Sequence, residues 1–258
     1  MDTLFAIWDK YHALFLSGAK VTIILSIMTI IFASIIGSLL AMMKISKFRL
    51  LRYIANIYVE FIRGTPLMVQ IALIFYGLPL IGIEFPTLTI WGMDFERLSS
   101  GIIALTINSS AYVCEIVRSG IQSIDKGQME AARSIGFGHT KSMFLIILPQ
   151  AIKNILPALG NEFVSLIKNS SQVSIIGIAE LMYVSDTVRG ISYKPFEPLI
   201  IISVMYFIMT FIITRLITLF EKSWVRVQED NVIIFSIHTK TPQLKLNCPQ
   251  KVRQSLKE

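Results

Sequence analysis

Long apolar runs alternate with short polar and basic segments along this chain, and the runs have helical rather than strand length. Val21 to Met43 contains no charged residue. A stretch of about 20 apolar residues crosses the roughly 30 Å hydrocarbon core of a bilayer as a helix. The run exceeds the roughly 7–15-residue apolar core of a secretory signal, and no small-residue cleavage site follows, so it predicts a retained transmembrane helix. Thr65 to Ile83, Leu98 to Cys114 and Pro198 to Thr214 are likewise uncharged and predict three more spans. Ile155 to Ala179 predicts another, interrupted by Glu162, Lys168 and the polar run Asn169, Ser170, Ser171 and Gln172. Polar groups unsatisfied in lipid cost several kcal/mol each, so this span must bury them against protein or water and is the one expected to line a path. Ahead of the first span, Leu4, Trp8, Tyr11 and Phe15 recur at helical spacing. They predict either a short interfacial helix within residues 1–18 or a simple packing face.

Composition agrees. Of 258 residues, 53% are hydrophobic and 16% charged, against about 25% charged in a soluble domain. Five spans with their connections use almost the whole length, which predicts an all-α polytopic membrane protein with no separate soluble enzyme domain. The net charge of +7 is not a nucleic-acid footprint, because the basic residues gather at the ends of apolar runs. Lys44, Lys47, Arg49 and Arg52 follow the first span, and Arg118, Lys126, Arg133, Lys141 and Lys153 lie between the third and fourth. The positive-inside rule places both segments in the cytoplasm, with the N-terminus and the Glu84–Arg97 and Glu180–Glu197 connections outside and the C-terminus inside.

The second cytoplasmic segment contains Ser123 to Gly136, where a polar residue can cap a short helix and a glycine can end it. Ala131 and Ala132 leave a shallow surface with Glu130 at its edge, suited to docking against another protein, although an ordinary solvated loop helix has the same pattern. Glu130-Ala131-Ala132, then Gly136, then Ile147-Leu148-Pro149 resembles the EAA signature of bacterial ABC importer permeases. The segments Tyr58 to Pro66, Ala111-Tyr112 with Glu115 and Arg118, Gly127-Gln128 and Pro149-Gln150 narrow the resemblance to the polar amino acid permeases, the group of histidine and glutamine importers. It runs from about Gly18 to Trp224.

That resemblance implies a type I ABC importer permease fold in the bacterial inner membrane, with a transmembrane domain over 19–225 and five helices. It also implies an EAA loop over about 119–153 whose coupling helix, at Glu130, Ala131, Ala132 and Gly136, docks into a cytoplasmic ABC ATPase subunit. A second permease subunit, identical or homologous, and an extracytoplasmic amino-acid-binding protein are implied as partners, beside the membrane lipid. Where relatives usually read Lys-Asp-Thr-Ser-Leu, this chain reads Lys168-Asn169-Ser170-Ser171-Gln172, losing a carboxylate. The tail, 226–258, matches no familiar pattern.

Other chemistry is disfavoured. Gly136 to Ser142 lacks the glycine spacing of a phosphate loop, so no ATP site is expected there. His12, His139 and His238 are scattered, and Cys114 and Cys248 are isolated, so neither a metal nor a cofactor is expected. No nucleophile, base and orienting group suggest an enzyme. An ion-coupled carrier would favour internal repeats with paired broken helices, and a non-transporting scaffold would leave the polar fourth span unexplained. Asn161, Ser165 and Asn169, spaced by four with Glu162 at their edge, are the candidate substrate path. Glu162 is expected to pair with Lys168 or a neighbouring helix, or to attract a cationic substrate.

Overall fold

The computed structural model describes residues 2–238 apart from 84, 87, 91 and 92, with side chains described up to residue 221 except those of 2, 90 and 93. Contacts divide the chain at Thr218 into two units, and the site lies in the first, Met1–Thr218. Helices α1 (Asp2–Ile45), α2 (Arg49–Gly64), α3 (Leu67–Leu80), α4 (Phe95–Gln122), α5 (Lys126–Ser134), α6 (His139–Ser142), α7 (Leu148–Asn169), α8 (Leu181–Ser192) and α9 (Glu197–His238) follow in order. A single antiparallel rung joins β1 (Thr89–Ile90) to β2 (Met93–Asp94). The all-α expectation stands with this one addition.

Among the described residues, four helical stretches are long and apolar enough to cross a membrane, and α2 with α3 makes a fifth when that bent pair is counted as one span. The first begins much earlier than the charge-free run. The helix is continuous from Asp2, so the N-terminal stripe is not a separate interfacial helix. Ile7 and Phe15 are buried against Leu181, Val184 and Val188 of α8 and Ile201 and Ile202 of α9, with Leu4 and Tyr11 packed beside them. The packing-face alternative is the one realised.

The second span is where sequence and structure differ most. Thr65 precedes a proline, whose ring pushes the preceding residue out of helical conformation, and Thr65 is extended at φ −116°, ψ 145°. Pro66 has no N–H to continue the ladder. The chain therefore breaks between two short helices that meet at 107°. The first of them, α2, was not anticipated. It buries Ala55, Val59 and Ile62, while Arg49, Arg52, Glu60 and Arg63 lie on an exposed face.

The fourth span joins α6, a π-helical turn at Met143–Ile147, α7 and a 3-10 segment at Ser170–Ile176 into one stretch, His139–Ile176. The widened turn sits just before Pro149, which lacks an N–H and cannot take the normal ladder position. At the other end, the hydroxyls of Ser170 and Ser171 donate to the carbonyls of Ile167 and Lys168, both at 2.8 Å, while the helix tightens. The polar run Asn169 to Gln172 is thus the site of a change in helix type. After Gly177, left-handed at φ +80°, α8 occupies part of what was expected to be a plain connection.

Long helices fix relative depth. At one end of the bundle Lys44 of α1 pairs with Glu115 of α4, and Asn154 of α7 donates to Ser123 at 2.8 Å. There α4 and α7 approach so closely that a Cβ on Gly120 would stand 2.3 Å from Ile155. At the other end Val173, Ile176 and Ile178 pack with Ile71, Leu98 and Leu105. The antiparallel order puts the midpoint of α4, at Asn108 and Ser109, level with the break between α2 and α3.

Candidate functional site: a polar hub at mid-bundle and an exposed coupling helix

One turn of α4 gathers the polar groups of three other helices. The hydroxyl of Tyr58 on α2 donates to the Ile107 carbonyl at 2.9 Å and lies 2.7 Å from the Ser110 hydroxyl. The Asn108 amide donates to Gln70 Oε1 on α3 at 3.0 Å. Ser109 donates to Glu162 Oε1 on α7 at 2.7 Å. Asn108, Ser109 and Ser110 are all buried. Four consecutive residues, Ile107 to Ser110, therefore hold α2, α3 and α7 at one level, about 20 Å from either end of a 28-residue helix rising 1.5 Å per residue.

Gln70 closes the break itself. Its amide nitrogen lies 2.8 Å from the Ile62 carbonyl, 3.2 Å from the Thr65 carbonyl and 2.7 Å from the Thr65 hydroxyl. These groups include the last-turn carbonyls of α2, left without intrahelical donors when the helix stops. The Thr65 hydroxyl also donates to the Phe61 carbonyl at 3.0 Å. The break is thus satisfied by side chains.

Of the predicted path residues, Glu162 turns towards α4 and is half-buried, whereas Asn161 is exposed and Ser165 and Asn169 lie partly covered between them. The expected pair with Lys168 does not form among the described residues. Ser109 is the partner of Glu162, and Lys168 is exposed on the Asn161 side. Asn154, Asn161, Lys168 and Ile175 are all exposed and spaced by seven, a spacing that keeps them on one face. Three polar residues thus form an uncovered stripe along the fourth span.

The loop beyond α4 has a second kind of exposure. Asp125 caps α5 by accepting from the Gly127 N–H at 2.7 Å. At the other end, the Gly136 N–H reaches the Arg133 carbonyl at 3.0 Å and the Phe137 N–H the Ala132 carbonyl at 3.1 Å. This Schellman-type closure needs a left-handed residue, and Gly136 supplies it at φ +94°. Ala132 is buried against the loop, while Glu130 and Ala131 face outward. Beside them Ile135 is 75% exposed and Phe137 39%, and apolar side chains bared on a polar loop mark an interaction surface.

Sequence reasoning missed Gln70, Asn108 and Ser109. Gln70 carried a readable signal, an amide four residues beyond a Thr-Pro break in an apolar run. Asn108, Ser109 and Ser110 are a polar cluster at the centre of an uncharged span, where the absence of charge masks it. No group of three or more His, Cys, Asp or Glu that could hold a metal occurs among the described residues.

Residues 33–226 match the family described as the binding-protein-dependent transport system inner membrane component. A putative glutamine transport system permease protein GlnP of Rickettsia conorii is 39% identical over 208 residues, 81% of this chain and 91% of the relative. The arginine transport system permease protein ArtQ of Bacillus subtilis is 38% identical over 199 residues, 77% of this chain and 87% of the relative. Among solved structures, a chain from the crystal structure of an amino acid ABC transporter with histidines superimposes with a TM-score of 0.75 at 45% identity. It covers 83% of this chain and 95% of its own length.

Proposed function

The chain belongs to the family of binding-protein-dependent transport system inner membrane components, and from that premise we propose that Glu162 lines the path along which it passes polar amino acids. It is the membrane-spanning permease subunit of an ABC importer for amino acids. An ion-coupled carrier is disfavoured, since one bent helix pair occurs among the described residues rather than two in matching halves. A non-transporting scaffold gives no reason for the polar hub.

The coupling element is α5. A short helix capped at both ends and flanked by bared Ile135 and Phe137 is a rigid handle that a moving cytoplasmic ATPase can grip, and Glu130, Ala131 and Gly136 are its contact residues. The basic segments around Lys44 to Arg52 and α5 support a cytoplasmic position for this end. The stripe of Asn154, Asn161 and Lys168 cannot face lipid without several kcal/mol of penalty. It faces a second permease subunit, identical or homologous, with the path between them, and an extracytoplasmic binding protein delivers the substrate at the α8 end. ATP is hydrolysed by the ATPase subunits and not by this chain.

The single observation that carries the path is the Glu162 carboxylate, held at mid-bundle by Ser109 without a basic partner among the described residues. A carboxylate in low dielectric attracts an ammonium or guanidinium strongly, which suits a cationic amino acid. Glu162→Gln keeps the shape and the acceptor for Ser109. In proteoliposomes containing the whole importer, it is expected to lower transport of a basic amino acid about tenfold more than that of a neutral one, the equivalent of about 1.4 kcal/mol. Equal losses for both, with reduced protein, would assign Glu162 a structural role.

A further inference from the structure

The turn Ile107 to Ser110 holds three helices by hydrogen bonds made from four adjacent residues. Because consecutive helical residues point about 100° apart, anchoring Asn108 adds a directional bond to the packing of the buried face of α4 that sets its rotation about its axis. That rotation decides where Ser109 points. Ser109 is the residue that holds Glu162, so the aim of the carboxylate depends on what grips Asn108.

What grips Asn108 is Gln70, a buried amide whose other end closes the break between α2 and α3. Its two N–H hydrogens serve three acceptors of the corner, and its oxygen takes the donor from α4. The residue is buried and bonded on both sides, so its loss leaves partners without a ready substitute. An apolar side chain here would leave the Ile62 and Thr65 carbonyls unpaired and release Asn108.

We propose that Gln70 is a positioning residue for transport: through Asn108 it latches the mid-bundle break to the turn of α4 that aims Glu162. The proposal rests on the reading that Glu162 lines the path. The latch joins a corner, the place where a span of two half-helices can flex, to the group that meets substrate. Opening or closing the corner therefore reorients α4, and a substrate drawing Glu162 away from Ser109 loosens the turn that holds the corner. The two half-helices and the path residue are coupled through two adjacent side chains of α4.

Gly64 is the reporter. It is the last residue of α2, exposed, and a Cβ there meets no atom within 4 Å. Gly64→Cys is introduced into the full importer with Cys114→Ala and Cys248→Ser, and its reaction rate with a polar methanethiosulfonate reagent is measured in proteoliposomes. Gln70→Leu is expected to raise that rate about tenfold and to move the ratio of basic to neutral amino acid transport towards that of Glu162→Gln. Asn108→Ala leaves the bonds within the corner intact, so it tests the latch even if Gln70→Leu inserts poorly, and it should give the same two shifts. The Gln70→Leu and Asn108→Ala pair should show little beyond either alone, as expected of residues acting through one contact. An unchanged thiol rate with equal loss for both substrates would overturn the latch and leave Gln70 a packing residue. If Glu162→Gln fails to discriminate between substrates while the thiol rate still rises non-additively, the path reading falls and the mechanical latch stands.

Discussion

Glu180 lies just beyond the fourth span, fully buried, at the N-terminus of α8. One carboxyl oxygen accepts from the Tyr183 N–H at 2.8 Å and the other from the Tyr206 hydroxyl at 2.8 Å. Burial, the dominant influence, pushes its pKa from 4.5 up to about 7. The backbone N–H groups of Met182 and Tyr183 and the Tyr206 hydroxyl pull the other way, and the charge of Asp186 adds a little to the rise. Between pH 4.5 and 7 the folded chain keeps a proton that the unfolded chain has released, so stability falls as pH rises through that window and is flat above it. At 1.36 kcal/mol per pH unit the whole effect is roughly 3 kcal/mol. Glu180→Gln preserves an acceptor for Tyr183 and removes the ionisation. In thermal unfolding of the detergent-solubilised importer, wild type should lose roughly 6–12 °C between pH 4.5 and 7.5, at 2–4 °C per kcal/mol for a chain of this size. The variant should lack that component and melt above wild type at pH 8. Identical pH profiles for the two proteins would refute the assignment of a raised pKa to the buried Glu180.

At the coupling helix, a side chain on Gly136 would meet no atom within 4 Å, so its cost is backbone strain at φ +94°, about 1–2 kcal/mol, and not a clash. Gly136→Val should therefore shift the end of α5, and Glu130→Lys should reverse its charge. Each is expected to lower transport-linked ATP hydrolysis several-fold while the permease inserts normally, and full coupling in both would remove α5 as the docking element. For orientation, a cysteine at Lys194, in the segment after α8, should react with a membrane-impermeant thiol reagent on intact cells, and one at Ser134 should not. The reverse pattern would invert the bundle.

The spans were legible because the bilayer imposes a length and an absence of charge that apolar runs display directly. What hydropathy could not display was the interior of a span. Thr65-Pro66 lies at the boundary where the second apolar run begins, and it reads equally well as the start of a helix or as a corner between two. The difference lies in α2, whose Arg49, Arg52, Glu60 and Arg63 hid a helix that packs through Ala55, Val59 and Ile62. Helix α8 escaped for a related reason, since its buried Leu181, Val184 and Val188 are too few to register as a run. The candidate site shows the same limit in sharper form. Glu162 announced itself as a charge, and Glu130 to Gly136 as a motif. The groups that hold Glu162 and the broken span in place are Ser, Asn and Gln, uncharged residues that a search for charge within a span does not register. Their roles depend on partners 38 to 53 positions away in the chain. Buried neutral donors and acceptors carry no net charge to betray them, yet each must be matched at a depth without water. A polar cluster at the midpoint of an uncharged span is therefore the sequence feature from which such a hub can be sought, and Asn108-Ser109-Ser110 is that cluster here.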